Sequence, residues 1–236
     1  MQLLKKTLSH GLIVLALSVG LTVSAVATDF AETEALANQG FISSQYNLAT
    51  MYEHGIGVTE DPFQAFKWYK IAANQGDEQS QYNLGVKYDT GNGVRQDYTQ
   101  AAKWYQKSAD QGYAQAQYNL GVMYNDGDGV SQDYNQAAKW YQKAADQGHS
   151  TAQNNLGNLY HYGLGKRQDY TQSFKWYKKS ADQSDPIGLF NTAQGYYYGE
   201  GVRKNISIAK ELFGKACDNG NQKGCNNYRI MNEKNQ

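Results

Sequence analysis

The chain has 236 residues, with 22 basic against 22 acidic side chains, two prolines, two cysteines and an aromatic share of 13% carried mostly by twenty tyrosines. Balanced charge with 40% hydrophobic residues excludes a polyelectrolyte and the apolar-poor, highly charged composition of disordered chains. The lysines are dispersed one or two per structural unit rather than collected, so nucleic acid is not an expected partner.

Residues 1–27 differ from the rest in composition. Lys5 and Lys6 precede an apolar stretch from Gly11 to Val23, and Ala25-Val26-Ala27 places small residues where a signal peptidase cuts. This reads as a signal peptide, since the apolar run falls short of the roughly 20 residues that span a bilayer as a helix. No cysteine follows the cut, so lipid attachment is not expected. The mature chain is expected to start near Thr28, to make no stable membrane insertion, and to be periplasmic or secreted. Without Lys5 and Lys6 it carries 20 basic against 22 acidic residues.

Asp29-Phe-Ala-Glu32 is a capping box that predicts the start of an N-terminal capping helix over 28–39. Five units over 40–219 follow at a period of 36 residues: Trp68, Trp104, Trp140 and Trp176 align with each other and with Leu212, as do Tyr52, Tyr88, Tyr124, Tyr160 and Tyr196. The glycine pairs 55/57, 91/93, 127/129, 163/165 and 199/201 keep the same register. A period between about 20 and 50 residues marks a solenoid. In each unit a first helix, such as 114–125, buries Ala116, Leu120 and Met123 on one side and stops at the glycine pair. The second opens at Asp61, Asp97, Asp133 or Asp169 with glutamine three residues on, a capping box whose glutamine is expected to reach back to the cap amide. It buries an alanine, tryptophan and tyrosine stripe and ends at Gly76, Gly112 or Gly148 in the left-handed conformation, a rule broken by Ser184. Residues 220–236 read as a C-terminal capping helix with a polar tail. The predicted class is all-α, an α/α superhelical solenoid of helix-turn-helix repeats, with cores continuous only between neighbours.

Cys217 and Cys225 are the only cysteines, and in an exporting compartment they are expected to pair. The nine-residue loop so closed would contribute roughly 2.5 kcal/mol by the chain-entropy argument. A redox or metal site would need a CxxC or convergent histidines.

The pattern A-x-x-x-LG-x-x-Y-x-x-G-x-GV-x-x-D-x-x-x-A-x-x-W-Y-x-x-A-A-x-x-G, best shown at 80–112 and 116–148, resembles the Sel-one-like repeat, a relative of the tetratricopeptide repeat. The cysteine pair looks like one copy of the disulfide of the secreted cysteine-rich branch of that family. The resemblance implies an interaction scaffold, and the residues are read as non-enzymatic. Lys166, Ser184 and Thr192 depart from the pattern and make the last two units less regular.

Other motifs have ordinary readings beside the sharp ones. Asn125-Asp-Gly-Asp-Gly129 has the acids of a calcium loop without its closing glutamate. Ser207-Ile-Ala-Lys210 has S-x-x-K spacing and supports the alternative of a cell-envelope enzyme or peptidoglycan-binding factor of β-lactamase or penicillin-binding type, yet it lacks SDN and KTG partners. His54, His149 and His161 occupy three different repeat positions, so no metal site is expected. No catalytic residue and no cofactor are assigned.

Two rows on the first helices are candidates for recognition. One is the asparagine ladder Asn47, Asn83, Asn119, Asn155, Asn191 and Asn227, which either satisfies backbone between helices or reads a ligand. The other, placed opposite the buried stripe, holds Tyr46, Tyr82, Tyr118, Asn154 and Phe190 with Glu53, Asp89, Asn125, His161 and Tyr197. Its two readings are peptide binding and packing between successive first helices. The expected partner-binding residues are Tyr82, Asn83, Asp89, Tyr118, Asn119, Asn125, Asn154 and His161, facing a protein or peptide of the cell envelope. The second helices show a uniform glutamine and lysine face, for example Gln136 and Lys139, with little to select a partner.

Overall fold

A computed structural model describes residues 23–233. Those residues form α1 (Val23–Asn38), α2 (Ile42–His54), α3 (Pro62–Asn74), α4 (Glu78–Thr90), α5 (Tyr98–Asp110), α6 (Ala114–Asp126), α7 (Tyr134–Asp146), α8 (Ser150–Tyr162), α9 (Tyr170–Ala181), α10 (Pro186–Tyr198), α11 (Ile206–Asp218) and α12 (Gln222–Glu233). Among the described residues there is no strand. Each helix packs on the next in sequence, so α2/α3 through α10/α11 are the five units, with α1 and α12 covering the ends. The expected signal peptide falls largely outside the described residues. Helix α1 begins at Val23, upstream of Asp29, so Asp29 stands inside a helix and does not start one. Residues 23–28 include neither glycine nor proline, and nothing in them stops the backbone ladder.

The two glycines of each inter-helix turn do different jobs. The first takes the left-handed C-cap conformation, as at Gly127 with φ 84°. The second lets a turn sit on the preceding unit: a side-chain carbon at Gly93, Gly129, Gly165 or Gly201 would overlap the backbone of Pro62, Tyr98, Tyr134 or Tyr170, each at the start of the previous second helix. The aspartate caps form as expected, with Asp97 and Asp169 accepting from the amides of Gln100 and Gln172. The reciprocal half of the capping box does not. The cap amides of Asp61, Asp97, Asp133 and Asp169 donate instead to the carbonyls of Tyr52, Tyr88, Tyr124 and Tyr160 at 2.8–2.9 Å, because the sharp turn brings the end of the first helix within reach. Glutamines of the turn finish it: Gln132 Nε2 donates to the Asn125 carbonyl at 2.8 Å, as Gln96 and Gln168 do at their turns.

Inside the second, third and fourth units a second-helix tyrosine lies on a first-helix glycine. A side-chain carbon at Gly85, Gly121 or Gly157 would stand 2.6 Å from the ring of Tyr105, Tyr141 or Tyr177. The core is divided accordingly; one cluster joins Ala137, Tyr141 and Ala144 of α7, Leu156 and Leu159 of α8, and Trp176 of α9. Burying a leucine of such a cluster stabilises by about 1.5–3 kcal/mol, and each cluster involves neighbouring elements only. Lysines cover the tryptophans from outside, with the Lys107 ammonium 3.8 Å from the centre of Trp104 and Lys179 3.9 Å from Trp176.

A buried amide clip joins the units. Gln45, Gln81, Gln117 and Gln153 are buried, and each donates to the carbonyl of Ala37, Ala73, Ala109 or Ala145 at 3.0–3.3 Å. Gln75, Gln111, Gln147 and Gln183 donate to the clip oxygens at 2.7–2.8 Å. Continued by the repeat period, the clip positions reach Ala181 with Leu189 and then Cys217 with Cys225. At that last junction the pair is a disulfide with Cα atoms 4.5 Å apart, a covalent bond where the others have a hydrogen bond. Ser184 has φ 63°, the one non-glycine with positive φ among the described residues, in the position held elsewhere by Gly76, Gly112 and Gly148.

Candidate functional site

Of the variable row Glu53, Asp89, Asn125, His161, all but Asn125 meet second-helix tyrosines. Tyr69 donates to Glu53 at 2.6 Å and Tyr105 to Asp89 at 3.1 Å, while the His161 ring centre lies 6.5 Å from that of Tyr177. Lys87, only 2% exposed, crosses from the second unit to pair with Glu53 at 2.7 Å. Burial alone would raise the Glu53 carboxyl, but hydrogen bonds from Lys87 and Tyr69 together with the Lys87 and His54 charges hold it below the ordinary range. Burial followed by the Glu53 contact raises the Tyr69 phenol well above its ordinary value. At Tyr177, burial pushes the phenol up to about 12.

The row expected opposite the buried stripe does not face open solvent. Tyr82 is half-buried between Tyr105 and Tyr113, 5.8 and 5.2 Å away between ring centres, and Tyr118 stacks on His149 at 4.5 Å and 17°. Asn154 is 3% exposed and accepts from Asn191 at 2.8 Å, so its amide is closed to a partner. A first helix in a stack touches its own second helix, the previous unit's second helix and the adjacent first helices. A single apolar stripe with a free opposite face is the wrong picture for it. The asparagine ladder is half-buried along its length, with Asn119 beside the Tyr82 and Tyr105 phenols and Asn155 beside that of Tyr141. Asn83 is half-buried in the same register.

Between the fourth and fifth units this layer opens into a cavity of about 240 Å³, lined by Asn158, His161, Tyr162, Tyr170, Ser173, Phe174, Tyr177, Asn191, Gln194, Gly195, Tyr198 and Glu200. Its cause is a change of side-chain volume in register. Where Met51, Lys87, Met123 and Leu159 are buried, the fifth unit has Gly195, and Phe174 fills only part of the space. The Tyr177 phenol donates to Asn158 Oδ1 at 2.7 Å, and His161 Nδ1 stands 4.0 Å from Glu200. On the opposite side a shallower cleft of about 470 Å³ runs past Ala181, Ser184, Leu189, Thr192 and Leu212, where leucine replaces the repeated tryptophan and Thr192 the repeated leucine.

The Sel1 repeat profile matches residues 42–77, 78–113, 114–149, 150–185 and 186–221. The chain belongs to the Sel1 repeat family. Among solved structures it is similar to c5321, a protective antigen of uropathogenic Escherichia coli displaying an SLR fold, with 38% identity, a TM-score of 0.83 and coverage of 86% of this chain. It spans 44% of that antigen, less than half its length. A Sel1 repeat protein from Oxalobacter formigenes is 26% identical over 87% of this chain and 86% of its own, with a TM-score of 0.74. Among curated proteins none matches significantly. Sel1 repeats usually mediate protein–protein interactions.

Set on the Sel1 units, Tyr82, Asn83, Asp89, Tyr118, Asn119 and Asn125 fall at the second and third, while Asn154 and His161 lie on α8, and only His161 lines the cavity. Ser207 is exposed in the first turn of α11, with no hydrogen bond to Lys210 among the described residues. The acids near Asn125 bond locally, Asn125 Nδ2 donating to Asp126 at 2.7 Å. Sequence reasoning missed Ser173, Gly195, Gln194 and Glu200. The signal was present in the aligned columns: serine among Ala65, Ala101, Ala137 and Ala209, and glycine among large residues.

Proposed function

We propose that this Sel1 repeat chain is an exported, non-enzymatic scaffold that binds a protein or peptide of the cell envelope along the face made by its first helices. The observation that carries this reading is the row Glu53, Asp89, Asn125, His161, whose chemistry changes from unit to unit on a framework that repeats without insertion. Successive first helices also approach directly, as Asn154 and Asn191 do, which favours this layer as the inner, concave one. The second-helix layer offers the same lysines at 67, 103, 139 and 175 and little to discriminate between partners. Export is supported by the basic and apolar start of the chain and by the Cys217–Cys225 disulfide.

Crosslinking the mature protein in envelope extract identifies the partner, and calorimetry on folded variants then tests the face. Asp89→Ala, Asn125→Ala, Tyr82→Phe and Tyr118→Phe are chosen to keep the ring packing. At least two of the four should weaken binding by about 1 kcal/mol or more. Lys103→Ala and Lys139→Ala should change it little. The reverse pattern would move the site to the second-helix face.

A further inference from the structure

Resting on the scaffold reading, we propose that the cavity between the fourth and fifth units is a specificity pocket for an arginine side chain of the bound protein or peptide. It is built by departures from the repeat and not by the repeat itself. Gly195 leaves out the side chain that plugs the other units, and Ser173 stands where Ala65, Ala101, Ala137 and Ala209 have no hydroxyl. Ser173 is 1% exposed, and its Oγ is packed inside the wall beside the Tyr177 ring, out of reach of a ligand.

The wall chemistry selects a donor-rich cation. No lysine or arginine lines the cavity, and Glu200 is its one carboxylate. Asn191 uses its Nδ2 on Asn154, which leaves its carbonyl oxygen as the free end of the amide. Asn191 Oδ1 and the Glu200 carboxylate are thus acceptors, and the carboxylate matches a guanidinium, which has five N–H donors and no acceptor. At the mouth, Tyr162 and Tyr198 are 67% and 62% exposed, with Tyr170 beside them. Exposed phenol faces stack on a planar cation better than on an ammonium. A volume of about 240 Å³ lies below the roughly 300 Å³ where small-molecule sites begin and suits a single side chain.

The test is titration of the mature protein with N-acetyl-arginine amide, followed by NMR, against the neutral isostere N-acetyl-citrulline amide and against N-acetylglucosamine. Arginine should bind, and both citrulline and Glu200→Gln should weaken it roughly 10-fold or more, the effect of losing a charge-assisted hydrogen bond. Tyr198→Ala should weaken it several-fold, while Tyr98→Ala, in the register of Tyr170 but two units away, should leave it unchanged. Equal binding of citrulline, an unaffected Glu200→Gln protein of unchanged circular dichroism, no arginine binding at all, or saccharide binding in place of arginine would each overturn the assignment. The probe needs no partner, so its failure removes this pocket alone, and the scaffold reading stands or falls on the central-face variants.

Discussion

The junction between the third and fourth units and the one between the fourth and fifth use the same register and fill it differently. At the former, Ala138 of α7 faces Leu159 of α8, a small residue beside a large one, and the Gln153 clip bonds Ala145. At the latter, Phe174 faces Gly195, the clip position is Leu189, Thr192 replaces leucine and Leu212 replaces tryptophan, and a cavity opens on one side with a cleft on the other. A repeat built this way holds its backbone constant while trading side-chain volume across the joint. Regular joints carry stability, and the irregular one is free to carry a site.

The largest expected effect breaks the regular joint. Gly129→Ala would place a side chain on the Tyr98 backbone at φ 68°. Strain and overpacking together should cost about 3 kcal/mol in chemical denaturation. A fully stable variant would mean that the turns do not seat the units on one another.

Next comes the covalent end. Cys217→Ala with Cys225→Ala should cost about 2.5 kcal/mol, confined to the last unit. Hydrogen exchange should rise in α11 and α12 and not in α4–α7; uniform exchange would show that the ends and the centre are one cooperative block.

A smaller effect distinguishes the start of the fourth unit. His149 Nδ1 accepts from the Ala152 amide at 3.2 Å and Nε2 meets Gln115 Oε1 at 3.1 Å, so this cap needs a neutral ring. Burial lowers its pKa in the folded state. The unfolded chain therefore binds the proton more readily, and the stability this group contributes is complete above its ordinary value near 6.5 and lost as pH falls from there toward the folded value. His149→Asp, matching the caps Asp77 and Asp185, should flatten urea midpoints between pH 7.5 and 5.5; an unchanged slope would assign the dependence elsewhere.

The smallest is at the irregular joint. Ser184→Gly removes the left-handed strain of φ 63° and should stabilise by about 0.5–1 kcal/mol. A loss of stability would show that the serine side chain holds the turn.

The length of the repeat, the helix pairs, the aspartate caps, the left-handed glycines and the cysteine pair were all legible in the sequence, because each rests on residues close along the chain or recurring at a fixed offset. The candidate site was legible only in part. Tyr82 and Asn154 were placed correctly on the first helices, yet their exposure was misjudged, since a residue's surroundings depend on three neighbouring helices and not on its own helix face.

The buried glutamines show the same limit. Nothing local separates Gln117, which clips two helices, from Gln115 two residues earlier, and a polar residue on a helix reads as surface until a carbonyl 3.1 Å away is seen. Sequence by itself determined the period, the helices and their order, through capping chemistry and apolar spacing. The stacking alone decided where those helices leave a gap: the volume of the cavity at Gly195 is the difference between side chains on α8, α9 and α10, a quantity that exists only once the units are packed together.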